Sequence, residues 1–316
     1  MRIMIAGATG VIGRRAVEVL TTAGHDVIGL ARRPVELPDA ELVVANALDA
    51  AALTRAVRAV APDVVVHMLT AIPDPLDPRH LTREMAQTNR LRIEATANLI
   101  AASNGARIIS QGVAYAYDPA GAAIKDEDVP LWRDPPSQFA PVVAALHDME
   151  RQVGRAGGTV LRFGHLYGPG SIYAADGSFT AQVHDRKVPI VGDGGSTFSF
   201  THAHDAATAI LAAVDNDDIR GTFNIVDDDP TPMRTWLPEM AAMIGARQPM
   251  RVPAWVARLM VGAWGVAFMS GLAGASNARA RAELGWRPRY GSWREGFATE
   301  LSASAPAPLR PARDAR

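Results

Sequence analysis

Cysteine is absent from the 316 residues. Its absence excludes disulfides, thiolate nucleophiles and cysteine metal sites. Lysine is nearly absent too: Lys125 and Lys187 are the only two, and arginine carries the rest of the basic charge. Chemistry that needs a lysine ammonium is thereby confined to two positions. Net charge is only −1 at neutral pH, so no strongly basic character invites nucleic acid. Long apolar runs are scarce. The best, Ala254 to Ala275, carries Trp255, Trp264, Phe268 and Met269 but is interrupted by Arg258 and several glycines. It is too broken for a membrane span and reads as a substrate lid or a partner-facing helix pair. The first residues already have strand character, so no signal peptide is expected and the cytoplasm is the expected compartment.

What is present begins with Gly7-Ala8-Thr9-Gly10-Val11-Ile12-Gly13. The run Arg2 to Ala6 before it reads as a buried strand. Arg14 to Ala23 after it has helical apolar spacing at Ala16, Val17, Val19 and Leu20. Glycines at a strand-to-helix turn are the setting in which such a motif binds a dinucleotide. Gly7 permits the tight turn, Gly10 lets backbone approach a pyrophosphate, and Gly13 lets helix and strand pack closely. The helix then offers its free N–H groups and dipole to the phosphates.

Asp26 to Ala31 reads as a second strand. A carboxylate at its end would hold a ribose 2′-hydroxyl. Here Ala31, Arg32 and Arg33 stand instead. Two guanidiniums suit a 2′-phosphate, with Arg14 assisting, so NADP(H) is the expected cofactor. Further strands are expected at 41–45, 63–69, 107–110 and 159–163, with helices at 51–61, 82–104 and 142–155. Asn46 and Ala47 fall near an adenine, and Met68 and Leu69 close the fourth strand beside the cofactor. The stretch 112–138 reads as loop. Later strands are expected at 188–191, 197–201 and 222–226, and helices at 203–214, 233–244 and 279–284. This alternation gives a parallel, doubly wound α/β sheet of Rossmann type with a smaller C-terminal substrate-binding region. The expected division is 1–165 for the NADP(H)-binding domain and 166–301 for substrate region and lid, with some segments returning to the first. A disordered tail is expected over 302–316.

Taken together, the chain resembles the extended short-chain dehydrogenase/reductase, or NAD-dependent epimerase/dehydratase, family from Met1 to about Leu301. The marks are the 7–13 loop, Leu161-Arg162-Phe163-Gly164-His165-Leu166-Tyr167-Gly168-Pro169-Gly170, Gly192-Asp193-Gly194, Phe200 to Asp205, and Glu283-Leu284-Gly285-Trp286-Arg287-Pro288. The resemblance implies a Ser/Thr, a Tyr and a Lys as the working groups. The Tyr and Lys would be spaced YxxxK on one helix face, the ammonium lowering the phenol's pKa. This chain contains no YxxxK. The family's Ser-Ser-x-x-Val-Tyr-Gly aligns with 110–116 and puts Gln111 at the Ser/Thr position, after Ser110. Anchoring the helix on Glu150 puts Val142 where the Tyr belongs and Leu146 where the Lys belongs.

The remaining candidates for proton chemistry are His165, Gln111 and Ser110. His165 stands where the resemblance implies substrate contact, and its type titrates near 6.5. Tyr115 and Tyr167 read first as packing residues, His147 as a surface residue. His202-Ala203-His204-Asp205 reads as a lead into a helix, and no metal is expected. The sequence reading is an atypical NADPH-dependent ketoreductase acting on an aromatic, polyketide-like carbonyl of the kind found in secondary metabolism, with the substrate assisting. Its protein would be a monomer or homodimer with a small-molecule substrate. A non-catalytic NADP(H) sensor or partner-binding module is one alternative. A sugar-nucleotide epimerase or dehydratase is another.

Overall fold

Short, mostly apolar runs build the centre of the protein in a computed structural model that describes residues 1–302. They are β1 (Arg2–Ala6), β2 (Asp26–Ala31), β3 (Glu41–Val44), β4 (Val64–His67), β5 (Arg107–Val113), β6 (Thr159–Phe163) and β7 (Gly221–Ile225). They pair in the order β7-β6-β5-β4-β1-β2-β3, every pair parallel. Val64, Val65 and Val66 of β4 are all fully buried, as a strand covered on both faces must be.

Alternation along the strands feeds two cores. Ile3, Ile5, Val64 and Val66 face α1 (Val11–Thr22) and the later helix Ala203–Asp215. Met4, Val65 and Ile108 face α2 (Ala50–Val60), the segment 81–102 and α3 (Ala140–Arg155). The helix Ala203–Asp215, here α4, meets α1 through Ala206, Ala209, Ile210 and Ala213. A third, aromatic core of Tyr167, Phe198, Phe200, Trp236, Trp293 and Phe297 supports the C-terminal region. Although they follow residue 165, α4 and β7 complete the sheet layer. The strand order reverses between β1 and β4, so the crevice at their carboxyl ends is the natural ligand site.

Several elements differ from the sequence expectation. The helix expected over 82–104 is divided into Leu81–Glu84, Ala86–Arg90, a π-turn over Leu91–Ala95, and Thr96–Ala102. Side chains compete with its backbone: Thr96 Oγ1 donates to the Arg92 carbonyl at 2.6 Å, a pattern that bends helices. The supposed loop at 112–138 begins as the end of β5 and later carries Ile124–Lys125, which pairs in parallel with Gly274–Ala275. The expected strand at 197–201 is two short ones, Thr197–Phe198 and Phe200–His202, with different partners. The apolar stretch after 254 forms α5 (Ala254–Ser270), kinked at Gly262, whose φ of 72° only glycine adopts readily. Among the described residues no helix is long and apolar enough to cross a membrane. The expected disordered tail lies outside the described residues.

Candidate active site

Sterics at the β1–α1 turn show why glycine stands there. Gly7 turns at φ 95°, and a Cβ on it would lie 2.7 Å from the Met68 carbonyl oxygen. A Cβ on Gly13 would overlap the Gly7 carbonyl oxygen. At Gly10 it would meet nothing nearer than 3.4 Å, so that residue leaves open backbone. Gly10 also N-caps α1 with no side-chain hydrogen bond. The first-turn N–H groups, from Val11 onward, are therefore left for a ligand's anion. Arg14 donates from Nε to the Thr9 carbonyl at 3.0 Å and braces the loop.

Beside it, Leu30, Ala31, Arg32, Ala45, Asn46, Ala47, Leu69, Thr70 and Leu91 line one hollow. The structure thus brings together Arg32, Asn46, Ala47 and Leu69, as a nucleoside pocket requires. Arg32 and Arg33 are both exposed, but Arg33 is not in this lining. Met68 shapes the glycine turn instead, its N–H donating to Ala6 at 2.8 Å. Thr70 and Leu91 were missed because they lie in a proline-rich loop and on the π-turn. The residues fit a dinucleotide: a crowded glycine cradle, an uncapped helix start and a cation where a carboxylate is absent.

The residues on the other side of the crevice are mostly apolar. Ser110 is fully buried and donates from Oγ to Met149 Sδ at 3.2 Å. Gln111 faces the opposite way and donates to the Leu69 carbonyl at 3.4 Å. Val142 and Leu146 are 3% and 1% exposed, packed with Leu131, Phe139 and Trp264. Lys187 lies on the surface against Asp185 at 2.8 Å. Lys125 is buried beneath the 120–125 loop, its Nζ donating to the Ala120 carbonyl.

Aromatic rings link these elements. Trp132 meets Phe139 edge-on at 6.4 Å, Phe139 stacks on Trp264 at 3.7 Å, and Trp264 meets Phe268 at 5.7 Å. Phe268 meets His165 edge-on at 5.6 Å. His165 itself is sandwiched between Tyr115 at 4.5 Å and Phe198 at 3.9 Å. Its Nε2 is buried without a hydrogen-bond partner. Burial pushes its pKa down to about 3, so the ring is neutral at working pH. The pKa near 6.5 expected from residue type does not hold in this setting, and with it goes the role of proton-charged donor. Burial also raises Tyr115 above the usual phenol range, partly countered by Arg92. Tyr167 packs against Phe200 and Phe297.

Below the site, Glu150 of α3 takes both Nε and Nη2 of Arg162, at 2.7 and 2.6 Å. Burial opposes the Arg162 charge, but Glu150 more than offsets it and holds the pKa above the ordinary value. Arg162 also donates to Tyr117, whose hydroxyl donates to Asn224 at 2.6 Å. His202 caps α4 by accepting the His204 N–H and meets Glu300 at 3.0 Å. Asp205 accepts the Arg289 N–H at 2.8 Å, and burial lifts its pKa to about 6. Their polar atoms are committed to structure, and His147 is exposed on α3.

Comparison with known proteins agrees with this architecture. A curated relative from Streptomyces sp, 3-diazoavenalumate denitrifying reductase, is 41% identical over 311 residues, covering 95% of this chain and 100% of the relative. The Thermotoga maritima UDP-glucose 4-epimerase, solved with UDP-glucose, superposes with a TM-score of 0.75 at 20% identity, covering 96% and 98% of the two chains. The human epimerase-family protein SDR39U1 (isoform 2), solved with NADPH, superposes at 0.73 with 17% identity, covering 96% and 99%. The profile of the NAD-dependent epimerase/dehydratase family matches residues 3–226. With that match spanning the glycine cradle and all seven strands, the chain belongs to the NAD-dependent epimerase/dehydratase family, the extended short-chain dehydrogenases/reductases.

Proposed function

We propose that the chain is an NADPH-dependent reductase that removes a diazo group from a flat aromatic substrate. One observation carries the reading: the positions that the family fills with its Ser/Thr, Tyr and Lys hold Gln111, Val142 and Leu146, none of which is an acid. Val142 and Leu146 are apolar, Ser110 is turned onto Met149, and His165 is neutral. When bound, reduced nicotinamide supplies a hydride, and hydride plus an arenediazonium gives arene plus N2 with no proton consumed, whereas hydride plus a ketone consumes one. A site that lacks the Tyr–Lys pair suits the first balance. The relative at 41% identity is named for reduction of a diazo compound with loss of nitrogen.

The chain's own residues then have modest tasks. The 7–13 loop and α1 hold the pyrophosphate, and Arg32 takes the 2′-phosphate. The rings from Phe139 to Tyr115 exclude water and hold the substrate flat, the positioning on which such catalysis rests. A quinone-like carbonyl is the second reading, favoured by the Gln111 amide at the crevice rim. That amide can hold a carbonyl but cannot act as an acid. A neighbouring phenol of the substrate would then donate the proton.

The test follows NADPH oxidation and N2 release together, with a panel of diazophenols and a matched panel of hydroxyquinones. One N2 per NADPH supports the diazo reading. Oxidation only with quinones supports the carbonyl reading. Tight NADPH binding with neither substrate consumed overturns both in favour of a binding module.

A further inference from the structure

Arg92 is 6% exposed, and among the described residues it has no ion pair. Its guanidinium makes one long hydrogen bond, 3.5 Å to Asn89 Oδ1, although a guanidinium carries five N–H donors. It stands on the π-turn Leu91–Ala95, a distortion that often marks a functional position. Three groups feel its charge: His67 at the end of β4, Tyr115 beyond β5, and Glu150 on α3. None neutralises it. Both oxygens of Glu150 are already bonded to Arg162. A buried charge without a counter-charge is costly. The guanidinium therefore keeps spare donors for which the described residues supply no acceptor.

A second observation points the same way. Tyr115 stacks on His165, whose Nε2 is buried without a partner, and it is near enough to Arg92 for the guanidinium charge to act on its phenol. An under-bonded guanidinium and an unpartnered imidazole nitrogen thus both neighbour one half-buried ring.

We infer that Arg92, presented by the π-turn beside Tyr115, binds an anionic oxygen of the aromatic substrate, either a phenolate or a carboxylate. The inference rests on the reading of this crevice as an aromatic substrate site. The two sources differ in consequence. A guanidinium on a phenolate draws electron density from the ring and makes a diazo substituent a better hydride acceptor. On a carboxylate it fixes position and specificity only.

The test is binding, so that it does not depend on turnover. Affinities of the NADP-loaded protein are measured by calorimetry for two pairs: 4-hydroxybenzoate with its methyl ester, and 4-nitrophenolate with 4-nitroanisole in alkaline buffer. Arg92→Met should weaken at least one anion by about tenfold or more, the scale of one charge-assisted bond, and its neutral partner by less than about twofold. Arg92→Lys should recover part of the loss. Whichever pair responds names the source of the oxygen. Because the variant removes an unpaired buried charge, Arg92→Met should melt no lower than the unaltered protein without ligand. Equal losses for anion and neutral partner, no binding of either anion to the unaltered protein, or a steep fall in melting temperature overturns the inference. Arg92-dependent anion binding together with no reduction of any substrate would leave this site standing and remove the proposed activity alone.

Discussion

The two ends of the crevice are built by different means. The cofactor end is assembled from neighbours in sequence: one strand, one turn and the first turn of one helix. It offers backbone N–H groups and exposed arginines. The substrate end is assembled from Tyr115, Phe139, His165, Phe198, Trp264 and Phe268, contributed by separate elements and touching only in the folded chain. Its polar atoms are few and buried. On the proposed reading, the difference teaches that a chain can keep a cofactor site of ordinary design while replacing the groups that usually act beside it.

The severest test strikes the cofactor end. Gly13→Ala places a Cβ onto the Gly7 carbonyl, and NADPH affinity should fall by about a hundredfold or more as the turn that aims backbone N–H groups at the pyrophosphate is displaced. Fluorescence titration reads it, and circular dichroism shows whether the sheet survives. The next strikes the frame under the substrate end. Glu150→Ala leaves Arg162 buried and unpaired, which should cost about 3–5 kcal/mol in urea unfolding. A loss below about 1 kcal/mol would show that the Tyr117 and Asn224 bonds carry the network without it.

A smaller effect separates the two nicotinamide cofactors. Arg32→Ala should weaken NADPH by about tenfold, the scale of a charge-assisted bond, and leave NADH unchanged. Arg33→Ala should do less, since Arg33 lies outside the hollow. Equal affinity of the unaltered protein for both cofactors would break this half of the comparison.

The smallest effect is at His165. As a neutral ring between two aromatic neighbours, it should be replaceable: His165→Phe should keep turnover within about tenfold, against the larger loss expected of a general acid. Its signature lies in stability instead. His67 and His165 are held at about 4 and about 3 when folded, against about 6.5 unfolded. Between those values the unfolded chain binds more protons, so stability falls as pH drops from about 6.5 towards 4. Asp205, raised to about 6, opposes this over part of the range, since its folded form binds the extra proton. His165→Phe should flatten the acid slope, as thermal melts across that range would show.

What was legible in the sequence follows the same division. The glycine turn, the place of Arg32 at the end of β2 and the seven strands were readable because their signals are local: a motif, a strand end, an apolar run. The loss of YxxxK was readable because it needs only a spacing. The sandwich around His165 was not readable, because its rings come from distant segments. Nor was the neutral state of His165, which is set by burial rather than residue type. Arg92 was missed because helical spacing over 82–104 suggested an unbroken helix. A signal was present: Thr88, Arg92 and Thr96 recur every four residues, which places an arginine on the buried face.

The return of α4 and β7 to the sheet also sets an order of assembly. Until Ala203–Asp215 has been synthesised, Ala16, Val17 and Leu20 of α1 have no covering helix. Until residues 221–225 appear, β6 remains an open edge. At ordinary synthesis rates the cofactor layer therefore waits on the order of ten seconds or more, half made, on the ribosome. During that interval the nascent chain displays an apolar helix face and an unpaired strand, both targets for chaperones and for unwanted pairing. The dinucleotide cradle comes early in the chain, yet the layer that holds it rigid is among the later parts to be completed.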